Sequence, residues 1–115
     1  MSMVDVLPAG DVPPGTMVRV EVEGQPICLA NVNGTFQAVH DTCTHGMASL
    51  SAGWLDPEMD RVECPRHGAY FRLSDGAALT PPATASLPVF PVEVRDGRVF
   101  IDPVPNIPHP FDTPS

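Results

Sequence analysis

A chain of 115 residues fits one domain, and its net charge of −8, with Arg supplying all six basic residues, gives it an acidic surface. Such a surface repels nucleic acid and anionic membranes, so neither is expected as a partner, and it favours a basic protein met through electrostatic steering. Apolar residues at 43% argue against disorder, while 15 Pro and 9 Gly point to short strands joined by many turns.

The start, Met1-Ser2-Met3-Val4-Asp5, has neither a basic n-region nor an apolar h-region, and no apolar run reaches membrane-spanning length. Three cysteines do not make a disulfide framework, which suits the reducing cytoplasm. Residues 8–16 read as a loop. Val18-Arg19-Val20-Glu21-Val22-Glu23 alternates apolar with charged, the pattern of a half-buried antiparallel strand. Glu23-Gly24-Gln25-Pro26 is expected to turn the chain into a buried strand, Ile27-Cys28-Leu29-Ala30. Asn33-Gly34 predicts a two-residue hairpin turn, with a return strand over 35–40. Short strands follow at 54–55 and 61–63, joined across 56–60, then another at 70–73 ended by Ser74-Asp75-Gly76. Residues 80–88 read as a proline-bearing loop. A last hairpin pairs 89–95 with 98–102 across Asp96-Gly97. The tail, 103–115, is rich in proline and is expected to run extended and to pack on something. No stretch holds a helical period over three turns. The expected architecture is all-β: one domain over 1–115, with an antiparallel base of sandwich or barrel type and a smaller inserted β subdomain over 41–85.

Two clips stand inside that insertion. Cys43-Thr44-His45 and Cys64-Pro65-Arg66-His67 each offer one thiol and one imidazole, and a glycine, Gly46 or Gly68, follows each histidine. Unrelated side chains, a Cys43–Cys64 disulfide, a structural Cys₂His₂ zinc site and a [2Fe–2S] cluster all compete for this pattern. A disulfide leaves both histidines unexplained. Zinc clips usually pair like with like and seldom use a one-residue C-x-H spacing. A cluster with two Cys on one iron and two His on the other needs one of each from both clips.

The run C-T-H-G…C-P-R-H-G resembles the Rieske iron–sulfur motif, and residues 43–56 and 87–92 resemble the ferredoxin components of bacterial aromatic-ring-hydroxylating dioxygenase systems. The resemblance covers the chain to about Asp102. It implies the Rieske-like fold and one [2Fe–2S] cluster per chain, with Cys43 and Cys64 on the inner iron and His45 and His67 on the outer, solvent-facing one. It also implies that Pro81-Pro82 belongs to a loop shielding the cluster. In high-potential members of the family each clip carries a further Cys, and Ser and Tyr follow the second His. Here Met47 or Ala48, Arg66, Ala69 and Phe71 take those places, so the expected potential is low.

A low-potential centre on a small acidic domain reads as a one-electron carrier and not an enzyme. There is no G-x-G-x-x-G for a flavin or nicotinamide cofactor. Only His40 and His109 remain beyond the clips, more than half the chain apart, which is no 2-His-1-carboxylate iron site. The resemblance implies an NAD(P)H-dependent flavoprotein reductase as electron donor and a terminal oxygenase as acceptor; the chain itself is expected to be a monomer. The rival roles are the small Rieske subunit of a nitrite reductase-like enzyme and a zinc-bearing interaction module. Met47, Pro65, Arg66 and Pro82 are expected to flank a docking tip. Trp54 is expected to pack in the core, His40 to be a hydrogen-bonded structural residue, Cys28 a buried apolar residue, and His109 to have no role.

Overall fold

The computed structural model describes residues 3–44, 48–66, 68–80 and 85–110, and it is all-β in antiparallel sheets. Strands β1 (Val4–Pro8), β2 (Met17–Val22), β3 (Gln25–Val32) and β4 (Thr35–His40) come first in the chain. Three short strands follow, β5 (Trp54–Asp56), β6 (Arg61–Glu63) and β7 (Tyr70–Arg72). The last are β8 (Val89–Phe90), β9 (Val92–Arg95) and β10 (Arg98–Ile101). They form three sheets, ordered β1-β10-β9, β2-β3-β4-β8 and β5-β6-β7.

Within the four-stranded sheet β3 is buried on both sides, which explains why it is a continuous apolar run and not an alternating one. Ile27 and Leu29 face one core with Val12, Val22, Ala38, Phe90, Val99 and Ile101. Cys28, Ala30 and Val32 face the other, which holds Val39, Leu50, Val62, Phe71, Leu73 and Leu87. The first core joins the four-stranded sheet to the β1-β10-β9 sheet, and the second joins it to the β5-β6-β7 sheet.

The hairpins follow local backbone demand. Asn33 and Gly34 have φ of 54° and 95°, and Asp96 and Gly97 have 51° and 76°, as two-residue turns of matching twist require. The first turn is tighter than expected. Glu23 (φ 52°) and Gly24 (φ 80°) make it alone, so β3 begins at Gln25 and Pro26 already pairs with Glu21.

Two further expectations are corrected. Val4–Pro8, not read as a strand, pairs with β10 and completes the smaller base sheet. The single strand expected over 89–95 is two. Val89–Phe90 pairs with β4 and Val92–Arg95 pairs with β10, and the chain changes sheets at Pro91, which has no N–H to give to a ladder. The Pro91 carbonyl instead accepts Asp102 N–H at 2.9 Å.

Candidate metal centre

Cys43 and Cys64 head two loops built alike. In each, the Cys N–H donates to the carbonyl of the alanine five positions on: Cys43 to Ala48 at 2.9 Å, and Cys64 to Ala69 at 2.8 Å. An antiparallel pair closes each neck, Thr42 with Ser49 and Glu63 with Tyr70. Gly68, at φ 68°, returns its N–H to the Cys64 carbonyl at 3.1 Å, a backbone state that glycine adopts without strain. Both thiols are fully buried and belong to the same apolar cluster, so the fold brings together residues that lie 21 positions apart.

Gly53 lets the two loops approach. It ends the 3₁₀ turn Leu50–Ala52 that returns from the first loop, and a Cβ placed there would collide with the Glu63 carbonyl oxygen at the base of the second. A residue not singled out in the sequence, Asp41, anchors the first loop. Its carboxylate is almost wholly buried and accepts from Ser49 Oγ and from Ser51 N–H at 2.8 Å, and Arg19 Nε lies 3.4 Å away. Its carbonyl takes Leu50 N–H at 2.7 Å. The sequence signal was faint: an aspartate two places before the first cysteine, with serines at 49 and 51. Thr44, inside the first loop, donates its hydroxyl to the Ala85 carbonyl at 2.7 Å and so ties the loop to the end of the proline-bearing segment.

The histidines of the clips, His45 and His67, lie outside the described residues, as do Met47, Pro81 and Pro82. Among the described residues no group of three His, Cys, Asp or Glu side chains could hold a metal ion. The donor chemistry nonetheless fits a [2Fe–2S] centre. Two buried thiols at matched loop heads suit a group that, on two thiolates in its oxidised state, carries no net charge into an apolar setting. Cys28 does not compete. Burial, with the Asp41 carboxylate adding to it, pushes its thiol far above the usual range, and its Sγ rests 3.8 Å from Met17 Sδ.

The hydroxyls beside the cysteines are committed elsewhere. Thr44 and Ser49 donate as described, and Tyr70 donates to Glu63 Oε1 at 3.1 Å. That bond, chiefly, raises the phenol above its usual range and keeps it protonated. Ala69 and Phe71, which face the buried cluster, have no hydroxyl.

Trp54 is not in the core. It is 61% exposed, because β5 turns Leu55 inward and sets Trp54 on the outer face in a cross-strand row with Glu63 and Tyr70. That row lies directly at the neck of the second loop, and Arg66 within the loop is also exposed. His40 and His109, far apart in sequence, are in ring contact at 4.3 Å. The sequence assigned His109 no role, yet it is only 4% exposed and engaged. Both rings are bonded to the same residue. His40 Nδ1 accepts Thr42 N–H at 3.1 Å, His109 Nε2 donates to the Thr42 carbonyl at 2.8 Å, and the neighbouring carboxylate, Asp41, is engaged as above.

The family model of the Rieske [2Fe-2S] domain matches residues 2–91. The 3-phenylpropionate/cinnamic acid dioxygenase ferredoxin subunit of Escherichia coli (strain K12) is 44% identical over 102 residues, covering 89% of this chain and 94% of that one. A chain in the complex of reduced oxygenase and oxidized ferredoxin of carbazole 1,9a-dioxygenase superposes with a TM-score of 0.85 at 41% identity, covering 92% of this chain and 97% of that one. A putative nitrite reductase NADPH (small subunit) oxidoreductase protein is more distant, with a TM-score of 0.75 at 26% identity over 88% of this chain and 98% of that one.

Proposed function

The chain belongs to the Rieske [2Fe–2S] domain family, and from that membership we propose that it is the ferredoxin component of an aromatic dioxygenase system. It carries one electron at a time from an NAD(P)H-dependent flavoprotein reductase to a terminal oxygenase that holds its own Rieske cluster and non-haem iron. Catalysis belongs to those partners. The observation that carries this reading is the pair of matched loops with buried Cys43 and Cys64, in a chain that aligns almost end to end with ferredoxin subunits. The nitrite reductase-like alternative has the weaker support, since its relative is the more distant one.

In this reading Cys43 and Cys64 hold one iron and His45 and His67 the other, within a cluster-binding subdomain over 41–85 of a single Rieske domain. When bound, the cluster supplies reversible one-electron chemistry. The chain's own residues set where that chemistry sits. The apolar cluster around the thiols excludes water, and the Asp41 anchor and the Thr44–Ala85 bond hold the first loop in place. The described part of the chain has no helix long and apolar enough to cross a membrane, and we place the carrier in the cytoplasm. The direct test is reconstituted turnover with candidate reductase and oxygenase pairs. Product formation depends on this protein if the proposal holds, and turnover that is unchanged without it refutes the role.

Two further outcomes are expected. Among the described residues the hydroxyls of Thr44, Ser49 and Tyr70 are bonded away from the thiols, and Ala69 and Phe71 bring none, so these five add no hydroxyl donor to stabilise the added electron. A redox titration therefore gives a midpoint near the bottom of the range of about −150 to +300 mV for Rieske centres, and a value above about +100 mV contradicts this account. The exposed Trp54, beside Tyr70 and the second loop, is an aromatic anchor for a docking partner. Trp54→Ala weakens the complex with the oxygenase or the reductase about tenfold or more while iron content and midpoint stay unchanged. A Trp54→Ala protein that binds both partners with wild-type affinity removes Trp54 from the interface.

A further inference from the structure

We propose that the C-terminal segment 103–110 is a strap that positions the first cysteine loop, with His109 as its positioning residue. The segment lies beyond the stretch matched by the family model, which ends at residue 91. It does not run free of the body as an extended tail. Gln25 Nε2 donates to the Pro103 carbonyl at 2.7 Å. Asn106 then brackets Val89: its N–H donates to the Val89 carbonyl at 3.0 Å, and its Oδ1 accepts Val89 N–H at 2.8 Å. Val89 belongs to β8, the last strand of the four-stranded sheet, so the strap is stitched along that edge.

From Asn106 the chain carries His109 to the neck of the loop. The Thr42 carbonyl can only accept, so His109 presents its Nε2–H to it, at 2.8 Å. That carbonyl belongs to the same peptide unit as the Cys43 N–H, which donates to Ala48 at 2.9 Å. A peptide unit is planar and nearly rigid. Holding its oxygen from the strap and its N–H from the far arm of the loop fixes the plane from which the Cys43 side chain departs. His40, in ring contact with His109 at 4.3 Å, takes the preceding N–H, that of Thr42, at 3.1 Å. The two imidazoles thus hold both main-chain polar groups of Thr42.

The inference rests on the cluster reading above, and the test separates the two. The wild-type holoprotein is compared with His109→Ala, with His109→Gln, which keeps an N–H donor of similar reach, and with a chain ending at Asn106. Readouts are iron release to a chelator, amide hydrogen exchange at Cys43, and the EPR spectrum of the reduced state. His109→Ala and the shortened chain release iron about tenfold faster, the change expected for one lost hydrogen bond to a half-buried carbonyl. Their Cys43 amide exchanges faster and their EPR g-values shift, and His109→Gln recovers most of the wild-type behaviour. Unchanged iron release and EPR in all three variants overturn the strap. So does faster iron release that follows only a lowered melting temperature, with wild-type g-values and no recovery by Gln. A wild-type protein that shows no Rieske EPR signal refutes the cluster reading itself.

Discussion

Serine in place of Cys43 or Cys64 leaves a colourless protein with less than about a tenth of the wild-type iron, because in the proposed ligand set each thiolate is one of four and metal binding is coupled to a complete donor set. Both thiols sit at 0% exposure in one apolar cluster, so no solvent-borne group takes their place. Cys28 supplies the control. It is equally buried, but its thiol is pushed far up by burial and lies against Met17 Sδ, so it has no part in the centre. Cys28→Ala keeps full iron at a stability cost of about 1 kcal/mol, the size of a small buried truncation. Iron-to-protein ratio and visible absorption read the result. Full iron in either ligand variant, or loss of iron in Cys28→Ala, refutes the assignment.

Gly53→Ala produces the second large effect without touching a ligand. The added Cβ meets the Glu63 carbonyl oxygen and comes within 3.0 Å of Pro65 Cδ. Neither neighbour can yield cheaply. Glu63 is paired with both Trp54 and Tyr70, and Pro65 follows Cys64 directly. Overpacking of this kind costs about 3 kcal/mol, which for a domain of this size lowers the melting temperature on the order of 10 °C. The backbone shift that relieves the clash moves the second loop away from the first, so iron content falls as well. Gly10→Ala, at a position with nothing within 4 Å of the added Cβ, changes neither. A Gly53→Ala protein with wild-type melting temperature and iron content removes the close approach of the loops from the account.

The family and its kind of cluster were legible because the chemistry of the clips is local. Mixed Cys–His clips at short spacing restrict the metal group before any fold is known, and Ala69 and Phe71 in place of hydroxyl-bearing residues already point to a low potential. The supports of the site were far less legible. Asp41 reads as an ordinary polar residue until the return arm of the loop brings Ser49 and Ser51 onto it. Trp54 reads as core because large aromatics usually are, yet strand alternation around the buried Leu55 turns it outward. His40 and His109 were set aside for their separation along the chain, which says nothing about separation in space.

By itself the sequence determined what depends on neighbouring residues. It marked the Asn33-Gly34 and Asp96-Gly97 turns, which need left-handed backbone that these residues tolerate, and the two Cys–His clips that identify the family. Only the tertiary structure decided which faces are covered. Burial of β3 on both sides, the change of sheets at Pro91, the pairing of Val4–Pro8 with β10 and the return of the tail to Thr42 all join distant segments. Such contacts are selected by how whole layers pack, and no local preference encodes them.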